Sequence, residues 1–143
     1  MLAETSGWHS SLADAATWTN GTILFTAGNG AIIRVPDTGG TATPLHTLPW
    51  KGGENSFAWP RFLPDGRRFL VSKAGDPALF VASLDTDDMQ RVAEDCSRAA
   101  YVARHLLFFR GSAVFARPFD AARLVFTGGE AGRCTCELLL SVR

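Results

Sequence analysis

Apolar residues along this chain fall in short runs, not on a helical stripe. The runs are rich in β-branched and aromatic residues and are cut by Gly, Pro, Asn and Asp, which is the pattern of strands joined by tight turns. Ten strands are predicted, at 22–27, 31–36, 43–46, 57–63, 67–72, 78–84, 89–93, 99–103, 106–110 and 113–117. Helical spacing is weak, and only 10–18 and 119–125 could hold a turn or two of helix. The expected class is therefore all-β, built of hairpins and meanders.

The turn signals have a mechanism. Asn20-Gly21 is a two-residue hairpin signal, because both residues tolerate positive φ. Pro64-Asp65-Gly66 presets a turn through the fixed φ of Pro, the backbone-bonding carboxylate and the permissive Gly. Gly39-Gly40 separates two further runs.

These signals recur in order. Trp18-Thr19-Asn20-Gly21 leads into Thr22-Ile23-Leu24-Phe25, and Phe62-Leu63-Pro64-Asp65-Gly66 leads into Arg67-Arg68-Phe69-Leu70. Tyr101-Val102-Ala103-Arg104 leads into His105-Leu106-Leu107-Phe108. A second strand ending near an aspartate follows each time, at Asp37, Asp85 and Asp120. Units of about 40 residues holding four strands have the size of a propeller blade, WD-like in plan.

Trp18-x-x-Gly21-Thr-Ile-Leu-Phe, Arg34-Val35-Pro36-x-x-Gly39-Gly40-x-x-x-Pro44-Leu45 and Trp59-Pro60-x-Phe62-Leu63-Pro64-Asp65-Gly66-Arg67-Arg68-Phe69 resemble the TolB-type β-propeller repeat. His105-Leu106-Leu107-Phe108-x-Arg110 and Pro118-Phe119-Asp120-x-x-x-Leu124 resemble its next unit. The nearest kind is the propeller region attached to bacterial serine/threonine kinases and related membrane-anchored regulators. The resemblance implies a sensor or protein-interaction platform, not catalysis. It also implies about six blades in a complete ring, where this chain carries about three, and it places a His-Arg pair before Trp-Pro where Phe57-Ala58 stand here.

The blade pattern is assigned to 1–128, and 129–143 is read as a tail outside the family pattern that adds little to the blades. That break is what a truncated or frame-shifted continuation of a longer repeat would leave. Cys134 and Cys136 would then carry no site.

Lys+Arg and Asp+Glu number 14 each, so the net charge is zero. This speaks against a nucleic-acid or anionic-membrane surface, which needs a basic excess. No apolar run reaches the roughly 20 residues of a membrane span. The start of the chain has no basic and apolar leader pattern, so a cytoplasmic location is expected, although a membrane-anchored parent could hold the propeller outside the cytoplasm. Three cysteines without a framework spacing read as free thiols in a reducing compartment.

Catalytic patterns are scarce. There is no phosphate loop, no Gly-x-Ser-x-Gly elbow and no His-Glu-x-x-His, and Gly28-Asn29-Gly30 lacks the third glycine of a dinucleotide fingerprint. His9, His46 and His105 are widely spaced and read as surface or edge histidines. Asp85-Thr86-Asp87-Asp88 reads as a solvated turn, because Gln90 and Cys96 stand where an EF-hand loop needs Gly and Glu. A propeller's innermost strands line its channel, and the loops leading into them sit at its mouth. That places Asp14, Glu54, Asn55, Asp95 and Arg98 as a candidate site for a polar ligand or cation.

The functional expectation is a non-catalytic sensor or protein-interaction propeller fragment without a cofactor. The alternative is a calcium-dependent hydrolase such as a lactonase, with calcium as its metal. A homodimer closing two three-bladed arcs into six blades is expected, with a protein or small-molecule ligand as further partner. Ile23, Phe25, Ile33, Val35, Phe69, Val71, Phe80, Ala82, Leu107, Phe109 and Val114 are expected to face between sheets.

Overall fold

The computed structural model describes residues 16–45, 48 and 56–130, and the backbone of 132–135. Consecutive strands pair because their connections are short, and the result is a series of meanders. Blade 1 holds β1 (Ala16–Thr19), β2 (Thr22–Thr26), β3 (Ile32–Pro36) and β4 (Thr43–Pro44). Blade 2 holds β5 (Phe57–Phe62), β6 (Arg68–Lys73), β7 (Asp76–Ser83) and β8 (Gln90–Glu94). Blade 3 holds β9 (Ser97–Val102), β10 (His105–Arg110), β11 (Ala113–Asp120) and β12 (Val125–Phe126). β13 (Gly132–Thr135) also pairs along β11. All pairing is antiparallel, and the first strands sit side by side, with β5 against both β1 and β9. The described residues thus form a partial propeller of three blades, with β1, β5 and β9 innermost. No helix among them is long and apolar enough to cross a membrane.

Each seam between blades is filled by alternate positions of two sheets. Leu24 and Ile32 of blade 1 meet Phe57, Phe69, Val71, Phe80 and Ala82 of blade 2. Leu70, Leu79 and Val81, on the other face of blade 2, meet Ala99, Leu106, Phe108, Phe115 and Phe119 of blade 3. A backbone bond from Phe57 N–H to Gly30 O at 2.7 Å and a side-chain bond from Arg61 Nη1 to Ala16 O at 2.8 Å stitch the first seam. The Arg68 guanidinium stitches the second, donating to Ala121 O at 2.8 Å.

Asp65 anchors that arginine. Its carboxylate accepts both the Arg67 and Arg68 N–H at 2.9 Å and Arg68 Nε at 2.6 Å. Partial burial would raise the carboxyl pKa, but the Arg68 and Arg67 N–H groups and the Arg68 guanidinium together hold it below the ordinary value.

Three sequence expectations change. First, Leu107, Phe109 and Val114 are only half-buried and lie on the face of blade 3 away from blade 2, while Leu106, Phe108 and Phe115 fill the seam. The run Leu106-Leu107-Phe108-Phe109 is apolar on both faces, so alternation is silent and the neighbouring sheet decides. Ile23 is likewise only partly buried. Phe25, Ile33 and Val35, though buried, cluster with blade 1 residues on the face away from blade 2, while Leu24 and Ile32 fill the seam. Second, 16–19 is strand, its residues paired with β2 from Ala16↔Phe25 to Thr19↔Thr22, and 10–15 lie outside the described residues. At 119–125, β11 runs on to Asp120 and a single α-turn follows, closed by Leu124 N–H on Asp120 O at 2.8 Å. Asp120 Oδ1 caps it by accepting Ala122 and Arg123 N–H at 2.9 and 3.0 Å. Third, the stretch after 128 contributes β13, paired with β11 from Ala113↔Thr135 to Ala116↔Gly132.

Candidate functional site

The inner strands carry a shared irregularity. In β5, Ala58 pairs with Ser72 and Arg61 with Leu70, so Trp59 and Pro60 together oppose the single residue Val71. In β9, Ser97 pairs with Phe109 and Ala99 with Phe108, so Arg98 is the extra residue. These are β-bulges at equivalent places in two successive blades, and a bulge re-aims the side chain it carries. Both extra residues take left-handed backbone, at φ 54° for Trp59 and 42° for Arg98. Their side chains meet, with the Arg98 guanidinium 4.4 Å from the centre of a Trp59 ring.

Of the residues expected at the channel mouth, Asp14, Glu54 and Asn55 lie outside the described residues. Asp95 and Arg98 flank the start of β9 and are both exposed. The structure does not bring Asp95 and Arg98 into an ion pair. The Asp95 backbone carbonyl instead accepts Arg110 Nε at 3.3 Å. Strict alternation does not point to Trp59 as a partner of Arg98, because it hides bulges. One signal was available. Phe57 and Phe62 both pack toward blade 1 although they are five positions apart, which even spacing forbids without an inserted residue.

A cleft of about 680 Å³ opens where the turns of blades 2 and 3 meet, lined by Pro64, Tyr101, Arg104, His105 and Asp120 among others. His105 Nδ1 lies 2.8 Å from Ala103 O, so that nitrogen donates and carries the hydrogen. Asp120 is engaged in capping its own turn. No hydroxyl or thiol nucleophile hydrogen-bonded to a base is found there among the described residues. Asp85 of the acidic turn pairs with Arg67 at 2.6 Å. Among the described residues no three His, Cys, Asp or Glu side chains gather where they could hold a metal ion. Burial pushes the Cys96 thiol up to about 11, which leaves it neutral and unreactive at ordinary pH. His9 and His46 lie outside the described residues.

One wall of the cleft is strained. Ala103 and Arg104 form the β9–β10 hairpin with φ of 47° and 66°, the same two-residue geometry as Asn20-Gly21 at 47° and 77° in blade 1. Residues other than Gly, Asn and Asp pay about 1–2 kcal/mol for left-handed backbone. Ala103→Asn with Arg104→Gly is expected to raise unfolding stability by about 1–2 kcal/mol. Urea unfolding checks this, and an unchanged or lower midpoint would show that the turn stores no strain.

The end faces differ. Blade 3 turns Leu107, Phe109 and Val114 outward half-buried, beside Val102 at 50% exposure. On the far face of blade 1, Phe25, Ile33 and Val35 are buried, while Trp18 is 68% exposed. Trp18 takes the place of Phe62 and Tyr101 in the other blades, each of which packs against the preceding sheet. No protein-family model matches this chain, and no curated protein matches it.

Proposed function

We propose that this chain is a non-catalytic, TolB-like interaction propeller segment that binds protein partners through its blade faces, a second copy of itself first among them. The observation that carries this reading is the outward face of blade 3. Its Leu107 stands where Leu24 stands in blade 1 and Leu70 in blade 2, and both of those are buried by the next blade. A face of this kind is therefore closed, twice within this chain, by another sheet of the same type. An apolar sheet face left half-open favours association. The contact is assigned to blade 3, because Phe25, Ile33 and Val35 on the far face of blade 1 are already buried while Leu107, Phe109 and Val114 are only half-buried.

The calcium-dependent hydrolase has no comparable support, because among the described residues no three His, Cys, Asp or Glu side chains are placed to hold a metal ion. Light scattering tests the proposal. A species of twice the 15.4 kDa chain mass is expected at micromolar concentration, shifting to monomer in Phe109→Glu with an unchanged circular dichroism spectrum. A monodisperse monomer of the unaltered chain would overturn it.

A further inference from the structure

The three inner strands carry two arginines, Arg61 and Arg98, and not one acidic residue. Four arginines elsewhere are neutralised locally, Arg67 by Asp85, Arg68 by Asp65, Arg91 by Asp76 and Arg110 by Glu130, whereas Arg34, Arg104, Arg117 and Arg123 share with Arg98 the lack of a carboxylate partner among the described residues. Arg61 spends a donor on Ala16 O. Among the described residues no carboxylate pairs with Arg98, although the exposed Asp95 stands three positions before it. The guanidinium carbon lies over the Trp59 ring at 4.4 Å from its centre, a contact that limits the side chain's freedom. Its remaining valence is the in-plane fork of N–H donors, whose shape matches a planar carboxylate taken in two parallel bonds.

Holding this pair has a conformational cost. Two bulky residues sit in left-handed backbone, at matching bulges of neighbouring blades, where regular strand would have turned their side chains elsewhere. A guanidinium already immobilised on an aromatic surface loses less entropy when it binds an anion.

We infer that Trp59 and Arg98 form a carboxylate-binding site on the inner rim of the propeller, with Trp59 as the platform and Arg98 as the two-pronged donor. The carboxylate belongs either to a small free acid or to an acidic side chain of a polypeptide. The site lies on the inner strands, away from the outward face of blade 3, so a chain that proves monomeric leaves it intact.

The test is an NMR titration of the full chain, following the Trp59 indole and the Arg98 Nε–H signals. Glutarate serves as the free acid, acetylated hexaglutamate as the polypeptide, and inorganic phosphate as the non-planar anion. Saturable shifts at both signals are expected with glutarate or the peptide. Tighter binding of the peptide assigns the carboxylate to a polypeptide, and equal binding assigns it to a small acid. Arg98→Ala is expected to abolish the shifts at Trp59, and Arg98→Lys, which keeps the charge and loses the fork, to weaken binding about tenfold. Arg34→Ala, an exposed arginine on β3, is expected to leave binding unchanged. Should Arg98→Ala lose spectral dispersion, the Lys variant carries the comparison. The inference is overturned by an absence of saturable shifts with either carboxylate, by phosphate binding as tightly as glutarate, by Arg98→Lys binding like the wild type, or by Arg34→Ala weakening binding equally.

Discussion

Phe69→Ala is expected to cost about 3–5 kcal/mol of unfolding free energy, the range for truncating a buried aromatic. Phe69 is 0% exposed and sits in the first seam with Leu24 and Ile32 of the neighbouring sheet. Its ring meets Phe62 edge-on, with centres 6.3 Å apart. The cavity left behind would span two sheets whose spacing is held by other side chains and by bonds such as Phe57 N–H to Gly30 O. Neither sheet can close over it alone, so the loss should fall well above the bare transfer term. A domain of this size has about 5–15 kcal/mol in total, so the variant should unfold at a visibly lower urea concentration. A loss under about 1 kcal/mol would remove Phe69 from the seam.

Gly30→Ala is expected to be nearly as damaging, for a different reason. Gly30 has φ +82°, and a Cβ there would lie 2.3 Å from Ser56 Cβ and 3.0 Å from Ser56 Cα. Ser56 immediately precedes β5, and its Cα and the Cβ fixed to it cannot swing aside as a side-chain tip would. The left-handed conformation costs Ala about 1–2 kcal/mol. The overlap adds about 1–3 kcal/mol more. Gly75→Ala separates the two parts, because Gly75 has φ +74° and nothing within 4 Å of the added carbon. Thermal unfolding of both variants decides the matter. If Gly30→Ala loses no more than Gly75→Ala, the close approach of blades 1 and 2 at this turn is wrong.

Much of the architecture can be read from local pattern. Asn20-Gly21 and Pro64-Asp65-Gly66 announce their turns because only a few residue types accept those dihedrals. The ordered recurrence of Trp18, Phe62 and Tyr101 before those turns locates the same position of the same strand in three sheets, and the described strands follow it. The resemblance to the TolB-type repeat rests on those motifs alone.

The short strands were harder. β12 and β13 have too few residues for a period of two to register, and they exist through pairing with β11. The candidate site was legible only in part. The position of Arg98 follows from where inner strands begin, whereas its contact with Trp59 depends on bulges, which Pro60 alone signals in β5 and no residue type signals in Arg98-Ala99.

Hydrophobic alternation and turn chemistry therefore settle that this chain forms consecutive antiparallel hairpins, since both act within a few residues. Which face of Leu106-Leu107-Phe108-Phe109 is buried, and which residues meet across β5 and β9, are questions between sheets. Sequence spacing is blind to them, because the energy that answers them comes from surfaces some forty residues apart that touch only once the blades have packed.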